Sequence, residues 1–282
     1  MSTCRGVTVL TLVFVFVAVW CNAGTTSLIS NPGGGVRPQC ANCKENKTKP
    51  FQSDWDYLKF VNQWPESFCL YYNSTHNHNH RSRMQHRCII PSRIHKWTIH
   101  GTWPTKQGTE GPTSCNNTWQ FDLSEIKDLV PVMNNTWPDY LTGEEYWCFW
   151  AHEWDKHGTC AASLPALQGQ HNFFEMTLKQ KQRFDIDSML NTSGIVPSST
   201  ARYNYDDILQ AIKKGTGGIP ELICFQDNGR SGFQQYLAEI RMCLDKTFQP
   251  FDCPKSEFPN PFSGYYDPCS PKTTISLPPI KH

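Results

Sequence analysis

Apolar and polar residues alternate with period two in three stretches of the chain, a fourth is a short apolar run, and three others recur at helical spacing. Tyr57 to Trp64 alternates as a strand. Lys96 to His100 reads as a short strand, with Trp97 and Ile99 on one face and Thr98 and His100 on the other. Gly101 and Pro104 are expected to break it. Glu221 to Gln226 and Phe233 to Leu244 also read as strands, the second with clear alternation. The strongest helix is Glu144 to His157, with Gly158 placed to end it. At ~100° per residue, Trp147, Trp150 and Trp154 form one stripe, and His152, Glu153, Lys156 and His157 spread over the opposite side. Leu123 to Val130 and Asp206 to Lys214 are shorter helices, closed by Pro131 and Gly215. Past Lys246 the chain is Pro-rich and irregular, held by Cys253 and Cys269. Strands mixed with helices in no regular βαβ order point to an α+β fold.

The first 23 residues read as a secretory signal. Arg5 precedes an uncharged apolar run from Val7 to Trp20, and Cys21-Asn22-Ala23 ends on a small residue. The run is too short for the alternative, an uncleaved anchor, which needs about 20 residues. No later apolar run is long enough to span a bilayer, so no stable membrane association is expected after the signal is removed. Residues 24–50 are rich in Gly, Pro, Asn and Lys and read as a flexible arm carrying Cys40-Ala-Asn-Cys43. The catalytic domain is expected over 51–270 and a tail over 271–282. Secretion implies an oxidising compartment. Eleven of the 13 cysteines lie beyond the signal, an odd number that leaves at least one outside an internal pair. Asn46, Asn73, Asn116, Asn134 and Asn191 each open an Asn-x-Ser/Thr sequon and are candidate glycosylation sites. Localisation is therefore secreted, or within the lysosomal and endomembrane lumen.

Charge narrows the function less than position does. With 26 Lys+Arg against 25 Asp+Glu, the global field favours no polyanion. Any phosphate affinity must be local. A loop between Cys69 and Cys88 carries His76, His78, His80, His86 and several arginines. It reads as a solvated surface insertion rather than a metal site.

The densest chemistry lies in Phe149-Trp-Ala-His-Glu-Trp-Asp-Lys-His-Gly-Thr-Cys160. His152 and Lys156 form one i,i+4 pair, Glu153 and His157 another. A zinc-protease motif, His-Glu-x-x-His, would need histidine where Lys156 stands. His157 is displaced from His152 by ~140° around the axis, so no metal site is expected. A second histidine segment, Lys96-Trp-Thr-Ile-His-Gly-Thr-Trp-Pro104, matches the first in kind.

Together, in this order, the two segments resemble the two signature blocks of the ribonuclease T2 family, most closely its animal branch. The resemblance extends from about Phe51 to Cys269 and includes Phe60-Val-Asn-Gln-Trp-Pro65, Asn116-Asn-Thr-Trp119 and Glu125-Ile-Lys-Asp-Leu129. Thr102 departs from the commoner leucine, a packing change. The resemblance implies one disulfide-stapled domain with a central, mainly antiparallel sheet packed by several helices. It also implies cleavage of single-stranded RNA with low base specificity, through a 2′,3′-cyclic phosphate and without a cofactor. DNA, lacking the attacking hydroxyl, should not be cut. Imidazole, with an unperturbed pKa of about 6.5, suits both proton transfers. By the resemblance His157 is the base and His100 the acid, with the reverse assignment open. Lys156 and Glu153 stabilise the transition state, and His152 binds phosphate. Trp103, Phe149 and Gln63 contact bases, and Thr105 occupies a position that reads a base in some relatives. The implied disulfides are Cys69–Cys88, Cys115–Cys160, Cys224–Cys269 and Cys243–Cys253. Cys40, Cys43 and Cys148 are left over, with Cys148 either a buried thiol or paired to the arm. A reading from a different class is a secreted glycoprotein that signals or binds partners, with catalysis incidental.

Overall fold

The computed structural model describes residues 54–76, 87–109, 111–143, 145–227, 232–254 and 267–282. The signal, the arm with Cys40, Cys43 and Asn46, and His78, His80 and His86 lie outside these residues.

Four long strands make the sheet: β1 (Tyr57–Gln63), β2 (Thr98–Thr105), β3 (Glu221–Asp227) and β4 (Gln234–Leu244). Three short strands join them: β5 (Pro250–Phe251), β6 (Asp267–Pro268) and β7 (Ile275–Ser276). Their order is β2-β1-β4-β3-β6, with β5 and β7 also on β4. Every pairing is antiparallel except that of β7. β1 is central and covered on both faces, which is why all its residues but Lys59 are buried. The fold is thus α+β around a mainly antiparallel sheet.

The helices are α1 (Pro65–His76), α2 (Val130–Thr136), α3 (Cys148–Glu153), α4 (Thr159–Ala161), α5 (Gln170–Arg183), α6 (Ile186–Thr192) and α7 (Tyr205–Thr216). On α5, Phe173, Phe174, Thr177 and Leu178 form the buried stripe. With Ile186, Leu190, Ile208 and Ile212 they join one core with Leu58, Phe60, Leu222, Ile240, Met242 and Leu244 of the sheet. Thr177 Oγ1 donates to Thr102 Oγ1, so the threonine in β2 packs polar-to-polar against α5. A smaller cluster of Ile223, Phe225 and Ala238 packs against Phe68, Leu70 and Tyr71 of α1.

Several expected boundaries move, each for a local reason. Pro131 opens α2 instead of ending the helix before it, because a first-turn proline has no N–H to lose. α7 ends at Gly217, whose φ of 90° is the left-handed cap, rather than at Gly215. β2 runs through Gly101 and Pro104 without ending. The C-terminal residues pack instead of trailing: Trp64 Nε1 donates to the Pro278 carbonyl and Lys281 N to Glu66.

Disulfides join Cys69 to Cys88, Cys115 to Cys160, Cys224 to Cys269, and Cys243 to Cys253. Cys148 is also disulfide-bonded. Cys115–Cys160 closes a separation of 45 residues and ties the loop after β2 to α4. Replacing both cysteines by alanine is expected to cost about 2–4 kcal/mol, read as a lower denaturant midpoint in equilibrium unfolding. An unchanged midpoint would show that this staple does not constrain the unfolded chain.

Candidate active site

Pairing register aims the first histidine. β1 and β2 pair Val61 with Gly101, then Asn62 with Ile99, so His100 is the extra residue of a β-bulge. Strict alternation would put Trp103 on the face opposite Thr98 and His100. The bulge shifts the register, so that Thr98, paired with Gln63, and Trp103, paired with Lys59, share one face. Its backbone is held on both sides: Trp137 Nε1 donates to the His100 carbonyl, and Gln63 Nε2 to the Ile99 carbonyl at 3.4 Å. β4 also bulges, at Ala238, where its pairing with β3 slips by one residue.

The second histidine is aimed by a change of helix pitch. The expected continuous helix from Glu144 to His157 is α3 followed by a π-turn over Trp154–Gly158, which runs directly into α4. Wider turns of this kind recur at functional sites. Gly158 therefore does not end the helix. It lies under the Trp154 ring, where a Cβ would come within 2.3 Å of Cε3. Of the tryptophan stripe, Trp150 and Trp154 are buried and Trp147 is half-buried against Phe121. The opposite side does not face solvent either. Glu153 is 1 % exposed and His157 5 %, because this side packs against β2.

Trp103 is the shared neighbour. Its ring centroid lies 4.9 Å from that of His100 and 5.1 Å from that of His157, stacked on the latter. Its Nε1 donates to Glu153 Oε2 at 3.0 Å. Glu153 Oε1 lies 3.8 Å from His100 Nε2. The Phe149 ring stands 5.7 Å from the His100 ring. The two distant segments therefore bring His100, Trp103, Phe149, Glu153 and His157 into one cluster, with His152 and Lys156 close enough to act on it electrostatically. Gln63 sits beneath it, buried, with its amide already committed to the Ile99 carbonyl. Thr105 lies at the end of β2, its hydroxyl donating to the Trp103 carbonyl.

Burial sets the protonation states. It pushes the His157 imidazole well below its ordinary range, and the positive neighbours Lys156, His152 and His100 push the same way. Burial likewise lowers His152 to about 4, with Lys156 and His100 adding to it. Both rings are neutral at neutral pH. Burial raises the Glu153 carboxyl against the opposing pull of His100, Trp103 and Lys156. Among the described residues, no group of three or more His, Cys, Asp or Glu is arranged to hold a metal ion.

Two groups escaped the sequence reading. His100 Nδ1 lies 2.5 Å from Glu239 Oε1, and Glu239 Oε2 accepts from Arg241 Nε and Nη2. The available signal was charge at two alternate positions inside a strand that is otherwise mostly apolar, Phe233 to Leu244. Of the sequons, Asn191 is exposed, while Asn73, Asn116 and Asn134 are partly buried.

Three comparisons bear on this architecture. A family model described as the ribonuclease T2 family matches residues 55–253. Ribonuclease Oy of Magallana gigas is 37 % identical over 205 residues, covering 72 % of this chain and 90 % of its own. Ribonuclease T2 of Homo sapiens is 36 % identical over 197 residues, covering 70 % and 69 %. The crystal structure of human RNase T2 superposes with a TM-score of 0.64 at 33 % identity, covering 80 % of this chain and all of that one. RNase NT in complex with 5′-AMP gives 0.63 at 28 % identity, with the same coverage.

Two predictions follow from packing and titration. A Cβ at residue 101 would stand 1.9 Å from Glu153 Oε2 and 2.5 Å from Trp103 Nε1. Gly101→Ala should therefore destabilise the fold by about 1–3 kcal/mol, the cost of overpacking. A wild-type melting curve would show that the carboxylate can move aside freely. The second concerns acid. His152 titrates near 4 in the folded chain against 6.5 in the unfolded one, so between these values the unfolded state binds more protons. The stability it contributes is present above pH 6.5 and is lost as pH falls toward 4. His152→Gln should lose less stability than wild type between pH 6.5 and 4, measured by urea midpoints; equal losses would refute this.

Proposed function

The chain belongs to the ribonuclease T2 family, and on that premise we propose that it is an endoribonuclease that cuts single-stranded RNA by transphosphorylation in the cleft between β2 and the π-turn. The observation that carries the reading is the meeting of His100 and His157 on the Trp103 ring.

His157 is the base of the first step. It is buried and neutral, which leaves a ring nitrogen able to accept a proton. It takes the proton of the 2′-hydroxyl as O2′ attacks the neighbouring phosphorus. The P–O5′ bond breaks, and His100 gives its Nε2 proton to the departing O5′. The products are a 2′,3′-cyclic phosphate and a free 5′-hydroxyl. In the second step the roles reverse: His100 takes a proton from water, which opens the cyclic phosphate, and His157 returns its proton to O2′.

Negative charge grows on the phosphoryl oxygens in both steps. Lys156 supplies a positive charge, a neutral His152 supplies a hydrogen-bond donor, and Glu153, whose carboxyl burial raises, stands beside them. Donors held in place before the reaction need no reorganisation during it. The partly exposed rings of Trp103 and Phe149 supply faces on which bases stack, a contact indifferent to base identity. Buried Gln63 serves this site from beneath, by holding the backbone ahead of His100. Every group in the scheme is a side chain, so the reaction calls for no cofactor. DNA lacks the O2′ nucleophile. The five sequons, the N-terminal apolar run and the disulfides support a glycoprotein of the secretory route, exported or held in a lysosomal lumen. No helix among the described residues is long and apolar enough to cross a membrane.

A single-stranded RNA incubated with oxidised protein and a chelator should be cleaved to cyclic-phosphate ends, and the matching DNA should stay intact. His100→Ala and His157→Ala should each lower kcat by about 10²–10⁴-fold with the fold retained. Wild-type rates in either variant would refute the assignment. Absence of cleavage by the correctly oxidised parent would leave the partner-binding reading.

A further inference from the structure

Glu239 and Arg241 lie on one face of β4, 0 % and 2 % exposed. Burying a carboxylate and a guanidinium in a sheet is costly, and an apolar pair of the same volume is often as stable. Their retention therefore calls for an explanation in what they touch. Arg241 places Nε at 2.8 Å and Nη2 at 2.6 Å from one oxygen, Glu239 Oε2. The other oxygen, Oε1, meets His100 Nδ1 at 2.5 Å. Arg241 Cζ also stands 5.1 Å from the centroid of the Trp103 ring. The pair thus meets the site at the Trp103 ring and at the His100 ring, whose side chain is 25 % exposed.

We propose that Glu239 is the positioning carboxylate of His100 and that Arg241 keeps it in that role. The inference rests on the reading of His100 as a catalytic group. A neutral imidazole carries one proton and can hold it on either nitrogen. A carboxylate at Nδ1 selects the Nδ1–H tautomer and locks the ring plane. Nε2 is then the nitrogen presented to the substrate, on the side of Glu153. When Nε2 takes up a proton, the carboxylate balances the new charge.

Arg241 has a separate task. Burial by itself would raise the Glu239 carboxyl and let it draw the proton from the ring. Arg241 and His100 outweigh burial and hold the carboxyl at about 2, so it stays ionised and proton traffic is confined to Nε2. The two bulges serve the same contact. The one at His100 in β2 lies opposite Val61 and Asn62 of β1, and the one at Ala238 in β4 adjoins Glu239, which pairs with Gln63 of β1. Each re-aims a strand locally, and together they let two strands that are not neighbours exchange a side-chain contact across β1. The charged and titratable groups facing His100 are Glu239 and Arg241 from β4, His152 and Glu153 from α3, and Lys156 and His157 from the π-turn.

The test uses the full oxidised chain and three variants: Glu239→Gln, Glu239→Asp, and the doubly neutral Glu239→Gln/Arg241→Gln. The double variant removes both buried charges, so it stays informative if the single one unfolds. Cleavage of a short oligonucleotide is followed across pH, with urea midpoints measured on the same samples. Glu239→Gln should lower kcat roughly tenfold with KM nearly unchanged, and move one limb of the kcat–pH profile about one unit toward acid. With His100 as the acid of the first step, the limb that moves is the alkaline one. Glu239→Asp should recover part of the rate, and the downfield imidazole N–H proton resonance of the parent should be lost in both Gln variants. A folded single or double variant with parental kcat, limbs and resonance would overturn the proposal. Cleavage that survives His100→Ala would sink the catalytic reading itself, and this inference with it.

Discussion

Residue 101 has no side chain, and the volume so freed is where the two halves of the cleft touch. The Glu153 carboxylate and the Trp103 indole occupy the space that any Cβ would fill. This close approach joins a bulged strand to the end of α3, which comes 50 residues later in the chain. The contact fixes Trp103, and Trp103 in turn fixes the spacing of the two imidazoles that flank it. Cys115–Cys160 and the Trp137 bond to the His100 carbonyl hold the same junction from outside. The site is therefore a packed interface between two elements.

The same packing, by burying these groups, explains the electrostatics. A solvated histidine would change charge on its own near neutrality. Here His152 and His157 are kept neutral by burial and by the positive charges around them, while burial biases Glu153 toward its protonated form. His100 differs because it has a partner, the Glu239–Arg241 pair. The cleft is thus asymmetric before any substrate arrives: one ring is desolvated and uncharged, and the other is backed by a carboxylate. That asymmetry is the arrangement expected where one group must accept a proton and another must deliver one.

Much of this was legible along the chain, and the rest had identifiable reasons for being hidden. Strands Tyr57–Gln63, Glu221–Asp227 and Gln234–Leu244 announced themselves by alternation or apolar runs. The cluster from His152 to His157 stood out because so many titratable groups share one turn. α5 was overlooked because its stripe is narrow, Phe173, Phe174 and Leu178 among eleven other residues. α1 was overlooked because Asn73, Ser74 and Thr75 read as loop chemistry. The bulge at His100 and the π-turn at Trp154 are not properties of local sequence. They arise from pairing register and packing, and a strict period of two or of 3.6 residues cannot express them. Glu239 was hidden for a related reason: its partner is 139 residues away, and only the fold brings them together.

The account stands on one phosphate being shared by two rings. A crystal structure of the protein with an uncleavable dinucleotide, in which the attacking 2′-hydroxyl is replaced by hydrogen, tests it directly. The bridging phosphate should sit beside Lys156, with His100 Nε2 about 2.6–3.2 Å from its O5′ and His157 facing the 2′ position. A dinucleotide whose phosphate lies outside this cleft, or within reach of only one ring, would contradict the account.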